Sequence, residues 1–352
     1  MSAPFALTTT RLALADPSDP GEAARIEAFV AEAGGTLFHR PAWLRAVERG
    51  TAQRGLGIVA RRGGTITGWL PLSEVHSPIF GRALVSSGFA VGGGVLAEDG
   101  GTADRLAHGA RELAGRLSCP TIELRGGTMP RAWDLRSDAH VGFAAALADD
   151  DEAQLLAVPR KQRAEVRKSL TGDLSVRIGR EEDDRAAHYA VYAESVRNLG
   201  TPVFPRSLFD AALDELDSDI LTVFDRGAPV ASVLSFYHDD TVLPYWGGGT
   251  LAARRLRANE RMYFELMLHA RRRGCARFDF GRSKVGSGPA AYKKNWGFSP
   301  EPLTYAVWNA SDGAKRNVDP TDDSYSAKIA LWKRLPLSLA NRIGPHIARG
   351  LG

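Results

Sequence analysis

One stretch concentrates groups that could do chemistry: FDFGRSKVGSGPAAYKKNWGF, Phe278 to Phe298. It reads as a buried strand that drops into Gly and Ser, then reaches two lysines, Lys293 and Lys294, between Tyr292 and Trp296. Arg282 and Lys284 follow directly on the strand end. Loops at strand ends are where α/β folds bind ligands, and cations there suit an anion. An arginine such as Arg282 can hold a phosphate or carboxylate through two parallel bonds. The plainer alternatives are a lysine whose stem packs over Trp296 with its head in water, and an Arg282 paired with Asp279 or another local carboxylate. Lys293 and Lys294 project to different faces, so one of them is expected to be surface only.

Other candidates are weaker. Two triple glycines, Gly92–Gly94 and Gly247–Gly249, could bring a ligand close to backbone amides, or could serve a tight strand exit or a bulge. Neither is followed by Gly-Lys-Ser/Thr, so neither is a Walker loop. Tyr245 and Asn259 flank the second triplet, and Asn259 also fits a helix cap. PRKQRAEVRKSL carries Arg160, Lys161, Arg163 and Arg167 without interleaved aromatics, which suits a phosphate grip, or equally a linker helix. Asp-Phe-Gly at 279–281 lacks the other protein-kinase signatures, and Asp279 is expected to close a strand or orient a neighbour. There is no His-Glu-x-x-His, Cys-x-x-Cys or Gly-x-Ser-x-Gly, so no metal site or serine nucleophile is readable. Cys119 and Cys275 read as core residues.

The elements that position these residues occur twice. FHRPAWLRAV (38–47) parallels FPRSLFDAAL (204–213), VGGGVL (91–96) parallels WGGGTL (246–251), and SCPTIELRGG (118–127) parallels GCARFDFGRS (274–283). The separations Gly92 to Glu123 and Gly247 to Asp279 agree within one residue. In the second copy, 174–178 reads as a strand. Next come helices at 183–200, started by Asp183–Asp184 and closed by Gly200, and at 207–216, capped by Ser207. Strands at 220–225, 230–238 and 241–247 form an antiparallel meander. A helix capped by Asn259 follows, then strands at 276–281 and 303–308. The first copy repeats this order and ends on strands at 121–125 and 140–147. The fold class is α/β (α+β), with mixed, largely antiparallel sheets.

The expected spans are 1–150 for the first domain, 151–172 for a basic connecting helix, 173–310 for the second domain and 311–352 for a tail. The tail would pack across the domains or lie on a membrane surface. The 352 residues carry a net charge of +4, 44% hydrophobic and 24% charged residues, a soluble globular composition. Two cysteines, no signal-peptide pattern and no apolar run near eighteen residues place the protein in the cytoplasm by expectation.

The element order and motifs resemble the FemAB family, whose members carry two tandem GNAT-like domains of the acyl-CoA N-acyltransferase fold. Fem enzymes move an amino acid from aminoacyl-tRNA to an amine on a cell-wall precursor. Their second domain carries Phe-Lys-x-x-Phe-Gly, and YKKNWG (292–297) fits it with Tyr292, Lys293 and Trp296. NLGTPVF, LPYWGGG, FDFGRSK, KKNWGF and WKRLPLSLANRIGP are similar to the subgroup associated with the PEP-CTERM/exosortase system and exopolysaccharide gene sets. The resemblance implies Lys293 as the catalytic cation, meeting a phosphate or the oxyanion of aminolysis. It places Tyr292 and Trp296 beside that cation, and with Arg282, Lys284, Lys294, Tyr245 and Asn259, singled out above from the residues themselves, they are the expected substrate contacts. Arg160, Lys161, Arg163 and Arg167 would hold tRNA or another anion, with no metal. The donor would be aminoacyl-tRNA, with acyl-CoA as the alternative, and no bound cofactor is implied. The acceptor would be an amine on a nucleotide- or lipid-linked sugar, with contact to the membrane surface. A further alternative is a non-catalytic binding or assembly factor. The CoA-binding Gln/Arg-x-x-Gly-x-Gly/Ala loop is missing from both copies.

Overall fold

The computed structural model describes residues 9–310 and 326–352. The first 15 residues of the expected tail, 311–325, and the extreme N-terminus lie outside the described residues. In chain order the elements are β1 (Arg11–Ala15), α1 (Pro20–Glu32), α2 (Pro41–Thr51), β2 (Arg54–Arg62), β3 (Thr65–Ser77), β4 (Gly81–Ser86), β5 (Leu96–Ala97), α3 (Gly100–Arg116), β6 (Thr121–Arg125) and β7 (Asp134–Arg136). Then follow β8 (His140–Ala146), α4 (Asp151–Ala157), α5 (Arg160–Leu170), β9 (Leu174–Gly179), α6 (Glu182–Leu199), α7 (Arg206–Glu215), β10 (Ser218–Asp225), β11 (Ala228–His238) and β12 (Thr241–Gly249). The last are α8 (Leu251–Leu256), α9 (Ala258–Arg272), β13 (Arg277–Asp279), β14 (Ser283–Lys284), α10 (Gly288–Asn295), β15 (Pro300–Pro302), β16 (Tyr305–Asn309), α11 (Ser326–Arg334) and α12 (Leu337–Ala348).

The two sheets have the same plan. One runs β1-β2-β3-β4-β6-β16-β7 and the other β9-β10-β11-β12-β13-β8-β14. In each, an antiparallel meander ends in one parallel pair, β4 with β6 and β12 with β13. An antiparallel strand then covers that pair. The covering strands are exchanged: β8, expected to close the first copy, pairs with β13, and β16, expected to close the second, pairs with β6. The described chain accordingly forms two compact units. One takes the chain up to Ser137, then Thr304 to Ala310 and Arg349–Gly352; the other takes Asp138–Leu303 and the final helices up to Ala348. An alternating pattern marks a strand, but the sheet it joins is a long-range choice that the pattern does not carry.

Capping chemistry explains several helix limits. Asp19, Asp99 and Ser287 each accept a bond from a first-turn amide of α1, α3 and α10. Glu181 and Asp184 form a capping box on α6, and Gly200 ends it in the left-handed conformation as expected. Two expected caps are corrected. Pro205, not Ser207, precedes α7, and Arg257, with a positive φ of 56°, precedes α9. Asn259 is therefore inside α9. The connecting helix is two helices, α4 and α5, because Pro159 lacks an N–H and pushes Val158 into extended geometry.

The repeat extends to single bonds. Cys119 N–H donates to Ala114 O at 2.9 Å after α3, and Cys275 N–H donates to Ala270 O at 3.0 Å after α9. Both thiols are free and buried. Burial pushes Cys119 up to about 11 and raises Cys275 as well. Among the described residues, no helix is long and apolar enough to cross a membrane.

Candidate active site in the second unit

β12 and β13 pair only at Thr241 with Arg277 and Val242 with Phe278, so the two strands part beyond that point. The segment after β13 is the one that carries the cations. It continues as a turn, the short strand β14, and α10, where the sequence pattern suggests only a loop. Ser287 caps α10, and its C-terminus is a Schellman turn. Gly297 donates to Lys294 O at 2.9 Å, and Phe298 donates to Lys293 O at 3.4 Å. Gly297 has φ +91°, and a Cβ there would sit 3.2 Å from Pro159. The YKKNWG motif is thus a helix end, spaced to turn Lys293 inward while Trp296 is buried and Lys294 is exposed.

Lys293 Nζ donates to Gly281 O and Arg282 O, each at 3.0 Å. It lies 5.4 Å from the Phe280 ring centroid and 5.5 Å from that of Phe143, on β8. Its head is therefore neither in solvent nor stacked on Trp296. Two of the three N–H groups of the ammonium hold the loop that carries Arg282, and one is left. Burial pushes Lys293 down to about 8, against the pull of Asp279 and with the help of Arg282's charge. Asp279 is half-buried, and desolvation raises its carboxyl although Gly281 N–H donates to it at 2.9 Å. Burial thus disfavours the charged form of both groups, and such perturbed groups cluster at functional sites.

The shell is aromatic. Tyr263 lies 4.6 Å from Phe280 and 6.1 Å from Tyr292, and Tyr292 lies 6.4 Å from Trp296, all between ring centroids. Tyr292 Oη donates to Glu260 Oε1 at 3.4 Å, and Gln162 of α5 reaches the same oxygen at 3.5 Å. Burial, with Glu260 close by, pushes Tyr292 well above its ordinary value and Tyr263 up to about 12. Both phenols are held in the neutral form. Sequence reasoning misses Glu260 and Tyr263, although their i, i+3 spacing on α9 puts them on one face.

The other expected residues fall as follows. Arg282 lies in the turn after β13, half-buried, and Lys284 lies on β14, pairing with His140. Tyr245 has its ring contacts with Phe236 and Trp246, a different aromatic group from the one around Lys293. Asn259 Oδ1 is buried without a partner and faces Gly249, where a Cβ would come within 2.7 Å of it. A Cβ at Gly248 would lie 2.3 Å from Ser195 Oγ, so this triplet lets α6 and α9 press on β12. On α5, Gln162, Val166 and Ser169 face inward, while Arg160, Lys161 and Arg167 are exposed. Arg163 donates to Leu156 O at 3.1 Å. No group of three or more metal-ligating side chains occurs among the described residues.

In the first unit the corresponding opening is closed. Gly94 N–H donates to Arg125 O at 2.9 Å, and Thr128 N–H to Val95 O at 2.8 Å. A Cβ on Gly94 would lie 1.8 Å from Gly126 O. Arg125, 6% exposed, fills the space, bonded to Glu123 at 2.7 Å and to Ala90 O at 2.8 Å.

An antiparallel meander ending in one parallel pair, repeated in two sheets of equal order, defines the class: two mixed, mostly antiparallel GNAT-like domains in tandem. A family model described as an acetyltransferase (GNAT) domain matches residues 157–294. Among solved structures, FemX aligns with a TM-score of 0.63 at 13% identity, covering 84% of this chain and 96% of that one. A tandem GNAT protein from the clavulanic acid biosynthesis pathway aligns at 0.58 and 13% identity, covering 87% and 100%. The L-PGS structure from Bacillus licheniformis aligns at 0.54 and 12% identity, covering 90% and 96%. No curated protein matches the sequence significantly.

Proposed function

We propose that the protein is a Fem-like acyl- or aminoacyltransferase whose chemistry takes place at the splayed end of β12 and β13. The observation that carries this is the Lys293 ammonium, held by two carbonyls inside an aromatic shell beside Asp279. Aminolysis forms a C–N bond, breaks the ester or thioester bond of the donor, and passes through an oxyanion. The remaining N–H of Lys293 would meet that charge or a donor phosphate, and the low-polarity shell strengthens the contact. Arg282, fixed by the same lysine, would add a second cation, with Lys284 beyond it. Asp279 or Glu260 would accept the proton released by the attacking amine.

The preferred donor is aminoacyl-tRNA, because the CoA pyrophosphate loop is missing. Exposed Arg160, Lys161 and Arg167 would grip its phosphates. The acceptor would be an amine on a nucleotide- or lipid-linked sugar used in envelope or exopolysaccharide assembly. The motif resemblance ties this to the PEP-CTERM/exosortase system. The match of residues 157–294 to an acetyltransferase domain favours acyl-CoA as a second reading. Incubation with labelled aminoacyl-tRNA, and separately labelled acyl-CoA, with an envelope extract separates the two. RNase-sensitive transfer supports the first, and transfer from CoA that survives RNase overturns it. No transfer from either donor, with a cellular phenotype unaffected by Lys293→Met, favours a binding factor.

A further inference from the structure

α12 is built the wrong way round for a helix that merely completes a core. Its buried stripe is Ala340, Gly344 and Ala348, while Leu339 and Ile343 stand 41% and 39% exposed. A helix folded onto a core ordinarily turns its large apolar side chains inward. α11 adds Leu331, 65% exposed, and the end of α6 adds Leu199, 64% exposed. These belong to one region. Arg197 of α6 donates to Lys333 O at 3.3 Å, a Cβ on Gly200 would lie 2.5 Å from Ile329 Cγ2, and one on Gly344 would lie 3.0 Å from Val203 N. Both terminal helices therefore pack around residues 197–203; Ile329, Trp332, Leu337 and Ile347 are half-buried, while Leu331, Leu339 and Ile343 are left outside.

The charge on this region is one-sided. Residues 326–348 contain Lys328, Lys333, Arg334 and Arg342, all exposed, and no Asp or Glu. Among the described residues, Lys333, Arg334 and Arg342 make no ion pair. Exposed leucines and isoleucine bordered by basic residues match the two attractions that hold a helix in a membrane interface: apolar insertion and attraction to anionic headgroups. A second copy of the chain would bring the same positive charges face to face across a two-fold axis, which disfavours self-association.

We propose that α11 and α12 form a docking surface for an anionic lipid bilayer, with Leu331, Leu339 and Ile343 entering the interface and Lys333, Arg334 and Arg342 meeting lipid phosphates. This stands apart from the transfer reaction and does not depend on it. Full-length protein is co-sedimented with vesicles of phosphatidylcholine alone and with vesicles that also contain phosphatidylglycerol. Binding is expected to the mixed vesicles only and to weaken as salt rises. Leu331→Asp/Leu339→Asp/Ile343→Asp and Lys333→Gln/Arg334→Gln/Arg342→Gln should each lower partitioning at least ~10-fold, with circular dichroism unchanged because every altered side chain is exposed. No binding to the mixed vesicles, or equal binding by the variants, overturns the proposal. So does a vesicle-free oligomer that the Asp variant dissolves, which would assign the face to a second copy.

Discussion

Replacing Lys293 by Met keeps most of the side-chain volume and removes only the charge and its donors. In the folded protein that strips two carbonyls, Gly281 O and Arg282 O, of a charged donor, worth about 1.5–3 kcal/mol each. Against this, the ammonium is held at about 8 instead of 10.5, which costs about 3 kcal/mol of desolvation that Met does not incur. The net destabilisation near neutral pH is about 0–3 kcal/mol. The pH dependence is sharper than the magnitude. A lysine with a depressed folded value binds fewer protons in the folded state than in the unfolded state between pH 8 and 10.5. Wild-type stability from this group therefore rises with pH across that window, by about 1.4 kcal/mol per pH unit, and the Lys293→Met variant shows no such rise. Asp279, whose value is raised, acts at the acidic end and leaves this window alone. Urea unfolding midpoints of both proteins between neutral pH and pH 10 measure the gap. A gap that stays flat through the window refutes the desolvated-ammonium argument. In the transfer assay, the same variant should lose about 10²-fold in kcat/KM. A folded variant with undiminished transfer removes Lys293 from the chemistry.

Other outcomes follow from packing. Trp296→Ala empties a site only 3% exposed and should cost about 3–5 kcal/mol in chemical denaturation. Gly94→Ala would drive a Cβ into Gly126 O at 1.8 Å, backbone against backbone, and should abolish soluble expression. Gly248→Ala meets Ser195, whose Oγ at 2.3 Å can rotate away but whose Cβ at 2.6 Å cannot, so α6 must move off β12 and the melting temperature should fall. Cys119, with its thiol pushed up to about 11, should react with iodoacetamide far more slowly than a free thiol until the protein is unfolded. Rapid alkylation in native buffer would show that its pocket opens.

Local signals carried a large part of this molecule. The meander strands, α6 with its Gly200 stop, α9, and the correspondence of Cys119 with Cys275 all depend on side-chain period and on the conformations of Gly and Pro, which act within a few residues. The tandem element order was legible for the same reason. So was the difference in facing between Lys293, turned inward, and Lys294, exposed, since spacing to Trp296 and Gly297 is a helical register even when the helix itself goes unread. Tertiary structure decided the rest. It sent β8 into the second sheet and thereby placed Phe143 against the Lys293 ammonium. It turned that ammonium onto two carbonyls, brought Asp279 and Glu260 to the site, and closed the first unit's opening with Arg125. Strand pairing, burial and the resulting proton affinities depend on which distant groups share a low-dielectric neighbourhood, and a linear pattern holds no record of that until the chain has folded.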